Sequence, residues 1–296
     1  MQYLSAAEAA KKWKISERSV RNYCAKGRVE GAVLKGKTWK IPADAEKPQR
    51  SNTKTAKPQT LLEILQREKA NKYSGGIYHK TQIEMTYNSN HIEGSRLTHD
   101  QTRYIFETNT IGVTGEAVNV DDVIETANHF RCIDFIIEHA KSALTEKMIK
   151  KLHLMLKAGT SDARQDWFAV GAYKKMPNEV GGMATTMPED VAAEMQALLA
   201  AYNTKKVKTL EDILDFHVRF ERIHPFQDGN GRVGRLIALK ECLRFGLIPF
   251  IIEDAKKLYY YRGLSEWERE KGYLTDTCLD GQDTFRKLMS IFDIPS

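Results

Sequence analysis

The sequence predicts a mainly α-helical protein with two domains, a small basic one followed by a larger helical one. Beyond residue 60, apolar residues recur three and four positions apart through most of the chain. A polar stretch with two prolines, EKPQRSNTKTAKPQ at 46–59, separates that part from the first 45 residues. A length of 296 residues also exceeds one average domain. We therefore expect domains at 1–45 and 60–296, joined by a linker at 46–59.

The overall composition is that of a globular protein, with 42% hydrophobic and 28% charged residues. No run of 18 apolar residues occurs, and charged residues appear near the N-terminus before the apolar core of a secretory signal could form. The four cysteines are far apart and form no CxxC pair, which indicates reduced, structural thiols. We expect a bacterial cytoplasmic protein with no membrane partner.

The positive charge is concentrated at the N-terminus. Residues 1–45 contain ten lysines and arginines against four acidic residues, whereas the rest of the chain contains 35 of each. A basic segment of this kind indicates a polyanionic partner.

The first 45 residues show the pattern of two short helices and a hairpin. Ser5 and Glu8 form a capping box before one helix, and Ser16 caps a second helix predicted at 17–25. The segment 29–41 alternates apolar residues with glycines and lysines, as a small wing does. This order resembles the winged helix-turn-helix of the excisionase and MerR-like proteins.

That resemblance implies binding of double-stranded DNA. Arg18, Arg21 and Asn22 on the second helix would contact DNA, and Lys35 and Lys37 in the wing would contact phosphates. The alternative is a basic adapter that folds in the same way but contacts protein.

The segment HPFQDGNGRVGR at 224–235 carries the chemistry. A helix predicted at 213–223 stops before it, and a second helix is predicted from about 232 to 245. Gly229 and Gly231 allow backbone N–H groups to converge on an anion at a helix N-terminus. Arg232 and Arg235 add positive charge beside that site.

Two further side chains of this segment suit nucleotide chemistry. Asp228 offers the kind of oxygen ligand that Mg²⁺ uses beside phosphates. His224 is the nearby group that can accept a proton near neutral pH. The segment therefore combines a base, a metal ligand and a phosphate cradle.

These twelve residues resemble the complete signature of the Fic (filamentation induced by cAMP) family. The similarity extends upstream to 121–167, with Glu125 and Asn128, and downstream to 249–267, so that it covers roughly residues 60–290. It implies an all-helical Fic domain with a β-hairpin flap, for which the glycines and prolines of 173–188 give independent support.

The resemblance implies transfer of AMP from ATP to a Ser, Thr or Tyr hydroxyl of a target protein or of the chain itself. His224 would be the base, Asp228 would bind Mg²⁺, and a flap at 174–186 would hold the target as an added strand. The residues expected to bind the nucleotide and its phosphates are Gly229, Asn230 with its side chain, Gly231, Arg232, Arg235, Tyr260 and Tyr261.

A second motif, SNHIEG at 89–94, resembles the SxxxEG inhibitory helix of the same family, here near 82–94. Ser89 and Glu93 are four positions apart and share one face of a helix. The resemblance implies that Glu93 forms a bidentate pair with Arg235 in the place of the ATP γ-phosphate. The same glutamate could orient a water that removes AMP from a modified target.

Several alternatives stay open at this point. The chain could be a DNA-binding transcription regulator whose Fic domain senses nucleotide. Transfer of UMP or phosphate is a further alternative within the enzyme class, and a homodimer is compatible with the sequence.

Overall fold

The structure is a computed structural model that describes residues 2–36, 38–48, 59–112 and 117–295. The chain divides into two compact units, Met1–Pro58 and Gln59–Ser296. Each unit has its own hydrophobic core and is described by itself.

The N-terminal unit combines two helices with a three-stranded antiparallel sheet. Its elements are β1 (Tyr3–Leu4), α1 (Ala6–Trp13), α2 (Glu17–Ala25), β2 (Val33–Lys35) and β3 (Thr38–Pro42). The strand order in the sheet is β1-β3-β2. The capping box between Ser5 and Glu8 is present. The short strand β1, which pairs with Ile41 and Pro42, was not expected from the sequence, because two residues are too few for a recognisable alternation. The interpretation as a winged helix-turn-helix stays a prediction.

The second unit is built almost entirely from helices, so the prediction of a mainly helical protein is confirmed. The helices are α3 (Leu61–Ala70), α4 (Ile77–Ile92), α5 (His99–Thr108), α6 (Val120–His139), α7 (Glu146–Lys157), α8 (Val191–Thr204), α9 (Leu210–Ile223), α10 (Asn230–Phe245), α11 (Lys257–Glu266) and α12 (Gly272–Ile291). Short 3₁₀ turns lie at Asp162–Arg164 and Asp254–Lys256. No helix of the described residues is long and apolar enough to cross a membrane.

Helix α10 runs through the centre of this unit. It packs against α9, α6 and α7, and apolar residues on several of its sides, including Val233, Leu236 and Leu239, are buried. Phe226, in the loop before α10, is fully buried in the same core. A helix surrounded in this way holds the loop at its N-terminus in a fixed position, because core packing tolerates little displacement.

A two-stranded hairpin interrupts the helices. It consists of β4 (Glu179–Val180) and β5 (Met183–Ala184), and the turn residues Gly181 and Gly182 have φ values of 57° and 77°. Positive φ at both central residues is the requirement of a tight hairpin turn, which glycine meets without strain. Its use as a flap stays a prediction. The four cysteines are buried and free, as expected.

Candidate active site

His224 lies directly after α9, in the left-handed region with φ 50°. The helix begins at Leu210, three residues earlier than expected, because Thr209 and Asp212 form a capping box there. Nδ1 of His224 is 3.3 Å from the carbonyl oxygen of Glu221. A carbonyl only accepts hydrogen bonds, so Nδ1 carries the proton and Nε2 keeps its lone pair.

The surroundings of His224 favour the neutral imidazole. Burial lowers its pKa, and the positive charge of Lys174 lowers it further, against the hydrogen bond to the Glu221 carbonyl and the charges of Glu93 and Asp228. A neutral imidazole with a free Nε2 can accept a proton from a hydroxyl.

The loop after His224 ends at Gly229, which caps α10 with φ 79°. The helix starts at Asn230, two residues earlier than expected, because the side chain of Asn230 closes the preceding turn. Its Oδ1 accepts from the N–H of Phe226 and its Nδ2 donates to the Phe226 carbonyl, both at 2.8 Å. Both polar atoms of this side chain thus hold the loop, and one N–H of Nδ2 is left for another acceptor, so its contact with phosphate stays a prediction.

Asp228, whose side chain is about half exposed, is held by buried charged residues. Its Oδ2 accepts from Nζ of Lys157 at 2.8 Å and from Nη2 of Arg232 at 3.2 Å. Glu125 bridges these two cations with its two carboxylate oxygens. Burial would raise the pKa of Asp228, but the charges of Arg232 and Lys157 outweigh it and lower the pKa to about 2. The carboxylate is thus ionised throughout the physiological range.

Arg232 takes part in this network. Its side chain is buried and pairs with Glu125, a partner distant in sequence, and with Asp228. Its Nε has no hydrogen-bond partner within the described residues, and its role as a phosphate ligand stays a prediction.

The site fits a magnesium ion in one respect, the carboxylate of Asp228. Both ion pairs of this side chain use Oδ2, and the side chain is about half exposed. No group of three or more metal-ligating side chains occurs among the described residues. Mg²⁺ is commonly held by one or two carboxylates together with phosphate and water oxygens, so the single carboxylate is compatible with an ion that arrives with a nucleotide.

Arg235 contacts both residues of the second motif. Its Nη2 donates to Oε1 of Glu93 and to the carbonyl of Ser89, each at 2.8 Å, and its Nε donates to Ser89 Oγ at 3.0 Å. The contact with Glu93 uses one N–H group, so the expected bidentate pair is wrong. Ser89 accepts from Nε and from Nη2, and Nη1 has no hydrogen-bond partner within the described residues.

The Glu93 carboxylate lies against the first turn of α10. A methyl group at Gly231 would overlap it, so this position needs glycine for the close approach. Helix α4, which ends at Ile92, is itself held by α6: Gln82, Thr86 and Asn90 form hydrogen bonds with that helix at successive four-residue spacings. An acidic side chain therefore occupies the N-terminal end of α10, where an anion is electrostatically favoured.

The two tyrosines expected at the nucleotide have different environments. Tyr260 is buried, its hydroxyl bonds to Nε2 of His217 at 2.6 Å, and its ring lies beside the guanidinium of Arg235. Its expected contact with nucleotide is not supported, since the ring is covered by protein. Tyr261 is partly exposed, and its hydroxyl donates to the Ile92 carbonyl at 3.1 Å, at the end of α4.

Three charged residues beside the site, two buried lysines and a largely buried glutamate, were not singled out from the sequence. Lys157 connects three carboxylates, Lys174 contacts the hairpin, and Glu221 lies against Gly234. Burial raises the pKa of Glu221 to about 8, against the charge of Arg235. Lysines and glutamates are common on helix surfaces, so nothing in the sequence distinguishes these.

The candidate DNA contacts lie in the N-terminal unit. Arg18, Arg21 and Asn22 are exposed on α2, and Lys35 is exposed on β2. Arg21 also pairs with Glu17 at 2.8 Å within the helix. Lys37 lies outside the described residues.

Comparison with known proteins identifies the region around this site. Residues 143–242, which include the segment from His224 to Arg235, match the Fic/DOC family. The chain is 29% identical over 209 residues to proteins named protein adenylyltransferase Fic in Drosophila erecta and Drosophila melanogaster, a match that covers 68% of this chain and 38% of theirs. The chain thus spans about two fifths of the length of these relatives.

Solved structures show the same fold. A Fic domain-containing signalling protein from Bacteroides thetaiotaomicron superimposes with a TM-score of 0.62 at 24% identity, over 77% of this chain and 94% of that one. Residues 134–508 of Fic-1 from C. elegans give a TM-score of 0.60 at 18% identity, over 79% of this chain and 72% of that one. The second unit therefore has the Fic fold, and the family match at 143–242 shows that it contains a Fic domain.

Proposed function

We propose that this chain, through its Fic domain, is a protein adenylyltransferase that moves AMP from ATP to a Ser, Thr or Tyr hydroxyl of a target protein or of itself. The observation that carries the proposal is the neutral imidazole of His224, whose Nε2 keeps a lone pair beside the N-terminus of α10. The relatives named protein adenylyltransferase Fic support the same activity.

The reaction would use Nε2 of His224 as the general base. As the hydroxyl oxygen attacks the α-phosphorus of ATP, its proton passes to Nε2. A bond forms between this oxygen and phosphorus, the bond from phosphorus to the bridging oxygen of the β-phosphate breaks, and pyrophosphate leaves. His224 then returns the proton to solvent.

The charge on the phosphates would be balanced by groups at the start of α10. The backbone N–H groups of Gly229, Asn230 and Gly231 lie at a helix N-terminus, and Nη1 of Arg235, which has no hydrogen-bond partner in the part of the chain that the structure describes, lies nearby. Asp228 would hold a magnesium ion, which when bound supplies positive charge against the phosphate oxygens. Lys157 and Arg232 keep that carboxylate ionised and in place.

The transferase would be autoinhibited by Glu93. Its carboxylate occupies the anion position at α10 and takes one donor of Arg235. A terminal phosphate would compete for the same position, so ATP could bind in a reactive pose only after Glu93 moves. The same carboxylate lies where it could orient a water for removal of AMP from a modified target.

The target would bind along the hairpin of β4 and β5. The apolar side chains of Met176, Val180 and Met183 are about half or more exposed there. An extended segment of the target can add to such a strand through its backbone, with exposed apolar side chains as additional contacts.

Transfer of label tests this function. The wild type, Glu93→Gly, His224→Ala and the double variant are incubated with magnesium and ATP labelled on the α-phosphate. We expect label on protein for Glu93→Gly and none when His224 is also replaced. Parallel reactions with label on the γ-phosphate of ATP, or on the α-phosphate of UTP, distinguish phosphate and UMP transfer. If no variant transfers any label, the chain is better explained as a nucleotide-sensing regulator.

A second function, DNA binding, is favoured by the N-terminal unit. Its excess of positive charge and the exposure of Arg18, Asn22 and Lys35 suit contact with a phosphate backbone. Binding of double-stranded DNA would bring the transferase to a particular location or couple it to expression.

A further inference from the structure

Lys174, just before the hairpin, is a buried lysine with an unusual set of partners. The residue is only 3% exposed. Its Nζ donates to Oδ1 of Asn178 at 2.7 Å and to Oγ1 of Thr185 at 2.6 Å, with the Ile223 carbonyl at 3.4 Å. One ammonium group therefore joins both ends of the hairpin to the end of α9.

Other hydrogen bonds of the same segments reinforce this connection. The backbone N–H of Lys174 donates to the Pro225 carbonyl at 2.9 Å. Nδ2 of Asn178 donates to the Phe226 carbonyl at 3.1 Å, and Oγ1 of Thr185 bonds to Asn178. The hairpin is thus attached to the residues on both sides of His224.

The partners of Lys174 carry no charge. No carboxylate lies within ion-pair distance of its Nζ among the described residues, and burial lowers the pKa of Lys174 to about 8. Burying a cation without a counter-charge is unfavourable. A neutral side chain could supply the same kind of hydrogen bonds without the free-energy cost of burying a charge.

We propose that Lys174 is a positioning residue, whose ammonium fixes the hairpin relative to His224 so that a hydroxyl held along the hairpin meets Nε2. This inference rests on the proposed transferase function. The charge has a second effect, since it adds to burial in lowering the pKa of His224.

The chain offers a matched control in Lys208. This lysine is also buried, and its Nζ donates to the carbonyls of Tyr202 and Lys205 at the connection between α8 and α9. Burial lowers its pKa as well. Lys208→Met therefore removes a buried ammonium that has no contact with the hairpin.

The first measurement is amide hydrogen exchange, which does not depend on catalysis. In Lys174→Met we expect exchange of residues 176–187 to accelerate by roughly tenfold or more, because the hairpin loses its attachment. Lys208→Met should leave these amides unchanged. Thr185→Val, which removes one acceptor and leaves the lysine in place, should give a smaller acceleration. Unchanged exchange in both hairpin variants would overturn the proposal.

The second measurement is the rate of transfer in the Glu93→Gly background. Lys174→Met should lower kcat by about tenfold or more with the KM for ATP unchanged, since positioning of the hydroxyl is lost. The acidic limb of the pH profile should move to higher pH, because Lys174→Met removes a positive charge that lowers the pKa of His224, while the carboxylate of Asp228, which raises it, remains. Lys174→Arg, which keeps the charge, should restore the limb.

The two measurements separate the possible failures. Faster exchange of the hairpin without transfer in any variant would reject the transferase function and with it this role of Lys174. Transfer in the Glu93→Gly background that is indifferent to Lys174→Met would reject the positioning role alone.

Discussion

Arg235 donates a hydrogen bond to Glu93 at 2.8 Å, although the two residues are separated by 142 positions in the sequence. The bond joins the end of α4 to the first turns of α10. Ser89, one turn before Glu93, accepts two further hydrogen bonds from the same guanidinium. The segment 89–94 thus contacts the segment 224–235 in the folded structure. The Arg235 side chain is buried, whereas that of Glu93 is 28% exposed, so the carboxylate of the pair remains accessible from solvent.

Replacement of Glu93 should activate transfer. Glu93→Gly frees Arg235 and the anion position at α10, and a charge-assisted hydrogen bond is worth about 1.5–3 kcal/mol, so the rate should rise by roughly tenfold to a hundredfold. Glu84→Gln, on the same helix but paired with His99, is the control and should stay at the wild-type rate. The measurement is label transferred from the α-phosphate of ATP. Equal rates in all three proteins would contradict the inhibitory role.

Replacement of His224 should remove transfer but not nucleotide binding. A general base contributes about 10²–10⁴-fold to a rate, so His224→Ala in the Glu93→Gly background should lose at least two orders of magnitude. ATP affinity, measured by calorimetry, should change little, since the phosphate contacts belong to α10. Transfer that survives at full rate would place the base elsewhere.

The pH profile of the active variant gives an independent check of the base. Since burial lowers the pKa of His224, the rate should rise with pH along a limb below the ordinary histidine value of 6.5 and then level off. A limb above that value would contradict a neutral, buried imidazole.

The helix junction at 224–235 could be predicted from the sequence better than the contacts of its side chains. Twelve consecutive residues place His224, Asp228 and Arg235 around one helix N-terminus, because local order determines a helix junction. The partners of Arg232 and Asp228 come instead from Glu125 and Lys157, far away in the chain. Spacing along a sequence carries no information on such contacts.

Helix starts show the same division between local and distant causes. Capping residues predicted the starts of α1 and α2, because an N-cap is satisfied within four residues. Asn230 was assigned to phosphate because of its motif, but its hydrogen bonds to Phe226 are local and close the loop. Tyr260 was expected at nucleotide, yet packing of α11 buries it beside His217. Burial of this kind depends on the tertiary fold.

Asn230 should support stability as well as activity. Asn230→Ala leaves the buried N–H of Phe226 without its acceptor, whereas the Phe226 carbonyl keeps its bond from Asn178. An unsatisfied buried group costs about 1–3 kcal/mol. Urea denaturation should show the loss of unfolding free energy, and transfer in the Glu93→Gly background should fall with it. Asn203→Ala, which removes one bond to the Leu144 carbonyl away from the site, is the control for stability. Unchanged stability would mean that the loop does not need this side chain.

Glu221 should make stability depend on pH. Its pKa is raised from 4.5 to about 8 in the folded protein, so the folded state keeps a proton that the unfolded state releases between those values. The contribution of this group to the unfolding free energy is therefore greatest below pH 4.5 and declines as the pH rises to about 8. The slope of this decline is at most about 1.4 kcal/mol per pH unit. The glutamine of Glu221→Gln does not titrate, so the unfolding free energy of this variant should not show this decline.

The measurement for Glu221 is urea denaturation of wild type and variant from pH 5 to 8. The unfolding free energy of Glu221→Gln relative to wild type should increase steadily across that range. Glu211→Gln, an exposed change on the same helix, should follow the wild-type profile. Parallel curves for wild type and Glu221→Gln would mean that the buried carboxyl is already ionised near neutral pH.

The N-terminal unit should bind double-stranded DNA with an affinity that falls steeply with salt. Each phosphate contact releases counterions, so the slope of log affinity against log salt reflects the number of contacts. Replacing Arg18 and Lys35 by alanine should reduce that slope by about one unit per residue, whereas Lys72→Ala, in the second unit, should leave it unchanged. Fluorescence anisotropy of labelled duplexes with the full chain gives these slopes. An affinity that is absent, or unaffected by salt and by both replacements, would favour a basic adapter that contacts protein, because a phosphate-binding surface cannot lose two cations without losing affinity.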